Sequence, residues 1–288
     1  MFFTDDAPAR DNPPRVLVVG AGFGGMEVAW SLQNEPVDVM LVDRHNYHTF
    51  QPLLYQVVTA ALEPEDIAWS IRDIFQDQDN FSFRMGTVNN VDFDRKTVHL
   101  QDADPIDYDY LVLAAGASPD YFGVEGAEEH SFAVKDLMNA VRLRSHILRQ
   151  FENVEKDPGQ VDNGALNFVI VGGGPTGVET AGALVELFDH VLRKDFPDLN
   201  VDAARVILVE MNDHLLDPYD ESLQQYTLET LRDRGVEIKL ESSVVKATES
   251  TVEFESGQVL PTQTLIWAAG VKANPLSDRL NLEQGPNG

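Results

Sequence analysis

Two glycine-rich segments constrain the fold of this chain more than any other feature. They read VVGAGFGGMEVA and IVGGGPTGVETA, and each follows an apolar run that is typical of a buried strand. Both have the spacing G-x-G-x-x-G, with the second copy 152 positions after the first (172 − 20). The spaced glycines are Gly20, Gly22 and Gly25 in the first copy and Gly172, Gly174 and Gly177 in the second.

The repeat extends beyond the glycines. In each copy a helix is predicted to follow the loop, and a second strand ends in an acid, Asp43 or Glu210. A later strand then ends in Ala-Ala-Gly, at 114–116 and again at 268–270. Strand, glycine loop, helix and parallel strand form the unit that binds dinucleotides. The sequence therefore predicts an α/β fold with two Rossmann-like dinucleotide-binding domains.

Each glycine of the motif has a separate physical role. The first allows the tight turn out of the strand, the second lets the backbone approach a pyrophosphate, and the third lets the helix pack on the sheet. The pyrophosphate then accepts hydrogen bonds from backbone N–H groups at the positive end of the helix dipole. A glycine turn without a ligand is the alternative, and two copies in the same context make it the weaker interpretation.

The acid that closes the second strand of each copy indicates the cofactor. Asp43 lies 18 residues after Gly25, whereas Glu210 lies 33 residues after Gly177 because the loop DFPDLNVDAA is inserted before its strand. A carboxylate there accepts hydrogen bonds from ribose hydroxyls and repels a 2′-phosphate. Positions 211–214 contain no Arg or Lys, so NADH is favoured over NADPH. A solvent-exposed acid that merely ends a strand is the alternative.

The composition excludes several classes of function. A net charge of −27 repels nucleic acid, so no nucleic-acid partner is expected. The chain contains no Cys, which excludes disulfides and thiolate chemistry. No apolar run approaches the roughly 18 residues of a membrane-spanning helix. Met1–Arg15 has acids and prolines where a signal peptide has an apolar centre, and is predicted to be a cytoplasmic arm. The acidity is compatible with adaptation to high salt or with an ordinary acidic protein.

The remaining pattern predicts the connecting elements. Helices are expected to follow the two glycine loops as far as about Asn34 and about Lys194. The segment DIAWSIRDIF is predicted to be helical, and the long apolar spacing in VKDLMNAVRLRSHILRQFE predicts another helix. Between Glu210 and the strand TLIW, two strands and turns are expected.

Several segments together resemble type II NADH dehydrogenases, which are flavoproteins with two dinucleotide-binding domains. They are VLVVGAGFGGMEVAWSL, VDRHNYHTFQPLLYQVVTAAL, YDYLVLAAGAS, FVIVGGGPTGVETAGAL and TLIWAAGVKANPL. The most specific is NYHTFQPLLYQVVTAAL. The resemblance implies that 1–117 begin an FAD-binding domain, 118–274 form an inserted NAD-binding domain, and 275–288 return to the FAD domain. It also implies a further carboxyl-terminal portion that completes the FAD site and reaches the membrane.

The function that the resemblance implies is an FAD-dependent NADH:quinone oxidoreductase of a respiratory chain. NADH would pass a hydride to FAD, and electrons would then pass to a quinone. The family-length protein would be cytoplasmic, peripheral on the inner face of the cell membrane through its carboxyl-terminal portion, and could form a homodimer. A soluble NADH:acceptor reductase of the ferredoxin type is one alternative, and a non-catalytic NADH-sensing flavoprotein is another.

The resemblance also implies the residues of each site. The FAD site would be lined by Gly20, Gly22, Phe23, Gly24, Gly25, Asp43, Arg44, Val88, Ala115 and Gly116. The NADH site would be lined by Gly172, Gly174, Pro175, Thr176, Gly177, Glu210 and Gly270. Gln51 and Pro52 would approach the flavin as part of the catalytic site.

Glu179 is the third predicted catalytic residue. It is expected in the first turn of the second helix, where a family member would use it near the flavin to manage protons or to position quinone. Glu27 occupies the same place in the first copy, so the duplication alone could explain both acids. His45 and His48 lie near each other without an evident third ligand, and we expect packing or hydrogen bonding rather than a metal site.

Overall fold

The computed structural model describes residues 13–280 and 282–285. Most of the predicted amino-terminal arm, residues 1–12, lies outside the described residues. The same is true of 281 and 286–288 in the predicted return segment.

The described helices vary from single turns to twenty residues. The α-helices are α1 Phe23–Ser31, α2 Leu54–Val58, α3 Ile71–Ile74, α4 Ala127–His130, α5 Leu137–Lys156, α6 Pro175–Leu187, α7 Arg193–Asp195 and α8 Glu221–Asp233. Short 3-10 turns occur at Gln51–Leu53, Pro64–Asp66, Pro158–Val161, Val201–Ala203 and Ser277–Arg279. A π-helical segment, Phe188–Leu192, joins α6 to α7.

The described strands are short and mostly buried. They are β1 Arg15–Val19, β2 Asp38–Asp43, β3 Tyr47–Thr49, β4 Ala68–Ser70, β5 Phe81–Met85, β6 Val88–Asp92, β7 Thr97–Leu100, β8 Ala103–Asp107, β9 Tyr110–Leu113, β10 Ala117–Pro119, β11 Phe132–Ala133, β12 Asn167–Val171, β13 Arg205–Val209, β14 Glu237–Lys239, β15 Val244–Ala247, β16 Thr251–Phe254, β17 Val259–Pro261, β18 Thr264–Trp267 and β19 Val271–Ala273.

The chain divides into two compact units. Unit 1 contains the residues up to Thr49, Ala68–Ser118 and the residues from Lys272 onward, and unit 2 contains Phe50–Ile67 and Pro119–Val271. The boundaries after Ser118 and Val271 lie one and three residues from the expected ends at 117 and 274. The segment Phe50–Ile67 belongs to unit 2, although the sequence placed it within the first domain.

Unit 1 is built on a parallel sheet in the order β5-β2-β1-β9. β1 reads RVLVV and is buried on both faces, as expected for a parallel strand between two layers. One face packs against α1 and α3 through Val16, Val18 and Met26. The other face packs through Leu17 against the antiparallel sheet β6-β7-β8 and against Leu276.

Unit 2 repeats this plan. Its parallel sheet has the order β11-β18-β12-β13-β14, and an antiparallel sheet β15-β16-β17 packs through Val252 against Val169 and Val171 of the central strand β12. The order β14-β13-β12-β18 corresponds to β5-β2-β1-β9 of unit 1. The duplication read from the glycine loops is therefore a duplication of sheet topology.

α5 covers one side of the unit 2 sheet, and it forms where the predicted helical spacing lies. The Asp136 carboxylate caps its amino end by accepting from the Asn139 N–H at 2.9 Å. Its buried positions include Leu143, Ile147 and Phe151, spaced by four. The Phe151 ring stacks on Phe168 of β12, with ring centroids 5.9 Å apart.

Two predictions of local structure are wrong. DIAWSIRDIF is not one helix, because Ala68–Ser70 form β4 and pair with β3. Only Ile71–Ile74 are α-helical, beginning where the Ser70 hydroxyl accepts from the Asp73 N–H. The region after Glu210 contains a helix, α8, that was not predicted. Leu231 is the buried residue of α8.

The helices after the glycine loops end near their predicted limits. α1 ends at Ser31, before the expected Asn34, and α6 continues through the π-helical segment and α7 to Asp195, against an expected Lys194. Among the described residues, no helix is both long enough and apolar enough to cross a bilayer.

The stability of unit 2 is expected to fall in mild acid because of His146. The His146 Nε2 lies 2.9 Å from the Gln263 carbonyl oxygen, and burial lowers the pKa of this imidazole below 6.5. Below pH 6.5 the unfolded chain therefore binds a proton that the folded chain resists, and stability is lost as pH falls through the folded-state value.

Urea unfolding at about pH 7.5 and about pH 5.5 measures this loss. We expect His146→Gln to lose less stability between the two pH values than the parent chain does. His190→Gln, at an exposed position, is the control and should retain the parent's loss. An unchanged loss in His146→Gln would contradict the assignment.

Candidate functional site

The glycine loop of unit 2 turns sharply between β12 and α6. Gly172 has φ 113°, and a Cβ on it would lie 2.5 Å from the Ala268 carbonyl oxygen. A Cβ on Gly177 would lie 1.8 Å from the Gly172 carbonyl oxygen, so the helix packs there without a side chain. A Cβ on Gly174 would meet nothing within 4 Å. The first and third glycines therefore serve the fold, whereas the second leaves space for a ligand.

The loop of unit 1 has the same geometry. Gly20 has φ 107°, and its Cβ would lie 2.2 Å from the Ala114 carbonyl oxygen. The Cβ of Gly25 would lie 1.8 Å from the Gly20 carbonyl oxygen. Gly22 and Gly24 have open space where a Cβ would point. Each loop thus presents an open backbone at the amino end of a helix, α1 or α6, where the helix dipole favours an anion.

The two strand-end acids are anchored to the loops in the same way. The Asp43 carboxylate accepts from the N–H groups of Ala21 and His45, both at 2.8 Å. The Glu210 carboxylate accepts from the Gly173 N–H at 2.6 Å and from the Asn212 N–H at 2.9 Å. Each carboxylate therefore accepts from the N–H of the residue that follows the first glycine of its loop. It also accepts from the N–H of the residue two positions after the acid itself. An ionised carboxylate has about four acceptor sites, so about two remain for ribose hydroxyls.

The other residues expected around FAD occupy varied positions in unit 1. Phe23 is half exposed at the start of α1 and meets the ring of His48 edge-on at 5.3 Å. Arg44 is exposed beyond Asp43, and Val88 is half-buried at the start of β6. Gly116 has φ 71° and is exposed, and the Ala115 carbonyl oxygen accepts from the Asn274 side-chain amide at 3.1 Å.

Of the two histidines in NYHTFQPLLYQVVTAAL and just before it, His48 contacts the unit 1 loop. His48 is buried, and its Nδ1 lies 2.8 Å from the Ala21 carbonyl oxygen, so it holds the backbone between the glycines. His45 stacks on Tyr47 with ring centroids 5.0 Å apart. Residues 13–280 and 282–285 contain no group of three or more His, Cys, Asp or Glu side chains that could hold a metal ion.

The expected residues around NADH lie together in unit 2. Pro175 and Thr176 begin α6 directly after the open Gly174. Gly270 follows β18, whose end lies beside the Gly172 turn. Gln51 and Pro52 form an exposed 3-10 turn before α2 in unit 2. Gly173 was not predicted as a site residue, although it lies in a Gly-Gly-Gly run. A Cβ on Gly173 would lie 2.6 Å from the Leu215 side chain.

Glu179 lies in the second turn of α6, because α6 begins at Pro175 and its first turn has no acid. The expectation of a first-turn position was therefore wrong. Its side chain is exposed but lines a concave surface, so protein atoms exclude part of the water around the carboxyl group. That partial burial raises the pKa of Glu179 above its usual value.

The concave surface is a cavity of about 650 Å³ within unit 2. α6 forms its floor, and α2, the π-helical segment and α8 form its walls. Tyr55 and Tyr226 lie on opposite helices, with Glu179 and Glu186 on α6 between them. Arg234 pairs with Glu186 at 2.6 Å. Volumes of this size suit small ligands. This cavity could not be predicted from the sequence, because α8 was not predicted.

Known proteins resemble the chain over nearly its full length. The family described as "Pyridine nucleotide-disulphide oxidoreductase" matches residues 14–288. The chain is 36% identical to the type II NADH:quinone oxidoreductase Ndh of Mycobacterium tuberculosis, covering 92% of this chain and 60% of that protein. It is 30% identical to the type II NADH:quinone oxidoreductase of Staphylococcus aureus, covering 92% of this chain and 66% of that protein. The chain thus spans about three fifths of these relatives.

Solved structures show the same fold. NDH2 from Plasmodium falciparum, determined in complex with NADH, superposes with a TM-score of 0.87 at 22% identity. The superposition covers 93% of this chain and 57% of the Plasmodium chain. At this identity the likeness demonstrates the fold alone, the α/β arrangement with Rossmann-like parallel sheets that the sequence predicted.

Proposed function

Because the chain belongs to the pyridine nucleotide-disulphide oxidoreductase family, we propose that it contains the FAD and NADH sites of an NADH:quinone oxidoreductase. The observation that supports this proposal is the duplicated loop and acid, each set built for one dinucleotide. The curated relatives named above are NADH:quinone oxidoreductases. Since the chain spans only part of their length, the complete activity is proposed for the family-length protein.

The residues of unit 1 fit FAD. Gly22 and Gly24 leave an open backbone surface at the amino end of α1, which suits a pyrophosphate. Asp43 is held by two backbone N–H groups and keeps acceptor capacity for ribose hydroxyls. The assignment of FAD to unit 1 and NADH to unit 2 follows the resemblance to type II NADH dehydrogenases. Bound FAD would supply the chemistry of accepting a hydride from NADH and passing electrons to a quinone.

The residues of unit 2 bind and orient the nucleotide in this proposal. The N–H groups around Gly174 donate to the pyrophosphate of NADH, and the positive end of α6 attracts its charge. Glu210 accepts from the ribose hydroxyls, and its own anchoring to Gly173 fixes the distance between ribose and loop. Glu179 holds a proton more readily than an ordinary Glu, because its surroundings disfavour the charged form.

Absorption spectra and turnover test the proposal. The purified family-length protein should show the flavin absorption bands, and NADH should bleach them. The family-length protein should then reduce quinone with NADH. Turnover with ferredoxin-type acceptors but not with quinone would favour a soluble reductase. Bleaching without turnover on any acceptor would favour an NADH sensor, and a chain that binds neither nucleotide would refute the proposal.

The finer expectations on location and assembly remain predictions. We propose that the family-length protein binds the inner face of the cell membrane peripherally, through residues beyond those described, and forms a homodimer. Sedimentation of the family-length protein with phospholipid liposomes tests membrane binding. Light scattering of the same protein tests the homodimer.

Glu179→Gln is expected to slow quinone turnover while leaving the fold and flavin content intact. Since the fold raises the pKa of Glu179, the folded state already disfavours its charge, and removing that charge should not lower stability. Turnover of the family-length protein across pH and its free energy of unfolding in urea are the measurements. Glu27→Gln, the corresponding change in unit 1, is the control. If the two acids are present only because the sequence is duplicated, the two variants should have the same turnover. Lowered stability with unchanged turnover would show that Glu179 serves the fold.

A further inference from the structure

An aromatic side chain, Phe122, lies near the end of β18, and the proposed function does not explain its position. Phe122 is 65% exposed, and its backbone adopts a left-handed φ of 50°. That conformation is uncommon for a residue other than glycine, Asn or Asp. The ring atoms Cζ and Cε2 lie 2.9 and 3.2 Å from the place that a Cβ on Gly270 would occupy. The ring therefore covers Gly270, where no side chain intervenes.

Hydrogen bonds attach the turn that carries this ring to the end of β18. The Phe122 N–H donates to Asp120 Oδ1 at 2.9 Å, and the Asp120 N–H donates to the Gly270 carbonyl oxygen at 3.1 Å. The Trp267 Nε1–H donates to the Asp120 carbonyl oxygen at 2.7 Å. Tyr121 packs on the Trp267 ring with centroids 5.6 Å apart. The turn thus holds a large apolar ring in water at a defined place, although exposure of such a ring is unfavourable.

The sheet order indicates what this ring faces when a dinucleotide is bound. In the proposed NADH site the pyrophosphate would lie over the loop after β12, and Glu210, which is bonded to that loop at the end of the adjacent strand β13, would accept from the adenosine ribose. β18 flanks β12 on the opposite side, and Gly172 packs against Ala268 at its end. A dinucleotide extended across the carboxyl ends of these strands therefore places its other half over Gly270 and beside Phe122.

We propose that Phe122 is a positioning residue for the nicotinamide riboside half of NADH, which packs against its ring at the end of β18. This inference rests on the proposed NADH site of unit 2. The ring contributes apolar contact area at low entropic cost, because its place is already set by Asp120 and Trp267. A contact of this kind changes affinity by about three- to tenfold.

Binding of NADH and of ADP to the complete chain separates this role from general damage to the site. ADP has the adenosine ribose and a pyrophosphate but no nicotinamide riboside. Phe122→Ala should weaken NADH binding by about three- to tenfold and leave ADP binding within about twofold. Phe122→Tyr keeps the ring and should bind NADH as the parent does. Phe93→Ala removes an exposed ring (42%) from the turn between β6 and β7 of unit 1 and is the matched control, with both affinities unchanged.

Four results would overturn the inference. Melting temperatures identify any variant that is misfolded. Unchanged NADH binding in Phe122→Ala, or equal losses of NADH and ADP in a folded Phe122→Ala, would show that the ring does not contact the nicotinamide half. If the parent chain binds ADP and NADH with the same affinity, the nicotinamide half makes no contact and only this inference fails. If it binds neither, the proposed NADH site fails as well.

Discussion

Replacing Glu210 with Arg is expected to shift the nucleotide preference from NADH toward NADPH by about tenfold to a hundredfold. In the parent chain the Glu210 carboxylate is fixed by the N–H groups of Gly173 and Asn212, and in the proposed site its negative charge would face the ribose. A 2′-phosphate would meet this charge without a compensating base at 211–214. The guanidinium group introduced by Glu210→Arg would instead pair with the phosphate.

Initial rates or binding with NADH and NADPH measure the shift. Glu210→Arg also removes the acceptor of the Gly173 N–H, so affinity for NADH should fall, and the ratio of the two affinities is the decisive quantity. Glu210→Gln is the control, because it removes the charge while keeping a side-chain oxygen for the loop. Its ratio should move less than that of Glu210→Arg. Equal use of NADH and NADPH by the parent chain would refute the role of Glu210.

Alanine at the second and third glycines of the unit 2 loop is expected to have opposite effects. Gly174→Ala places a Cβ in open space, so the melting temperature should not change. The methyl group would lie where the pyrophosphate approaches, and NADH affinity should fall about tenfold or more. Gly177→Ala places a Cβ 1.8 Å from the Gly172 carbonyl oxygen, and the backbone must move. We expect that change to destabilise unit 2 by about 2 kcal/mol or more.

The same pair in unit 1 provides an internal control. Gly22→Ala should lower flavin content at unchanged stability, while Gly25→Ala should destabilise the fold. NADH binding should not respond to Gly22→Ala, and flavin content should not respond to Gly174→Ala. Thermal denaturation, flavin per chain and nucleotide titration distinguish the four variants. Loss of stability in Gly174→Ala would mean that this glycine serves the turn and not the ligand.

Much of the fold could be predicted because its elements depend on local sequence patterns. Glycine spacing, buried apolar strands and strand-end acids each depend on a few neighbouring residues, so β1, β12, Asp43 and Glu210 were recognisable. α8 was not, because its position depends on contacts with α6 and β14 and only Leu231 is buried. β4 was taken for helix, since its strand form depends on pairing with β3.

The sequence by itself determined that this chain repeats one dinucleotide-binding plan twice, since a turn without a Cβ and a strand-end carboxylate are local requirements. Only the tertiary structure decided how those parts act together. It showed that Glu210 holds Gly173, that Phe50–Ile67 belongs to unit 2, and that Phe122 lies over Gly270. These relations join residues far apart in the chain, with separations such as 37 and 148 positions (210 − 173 and 270 − 122). Long-range contacts arise from sheet order and packing, which no local pattern of residues specifies.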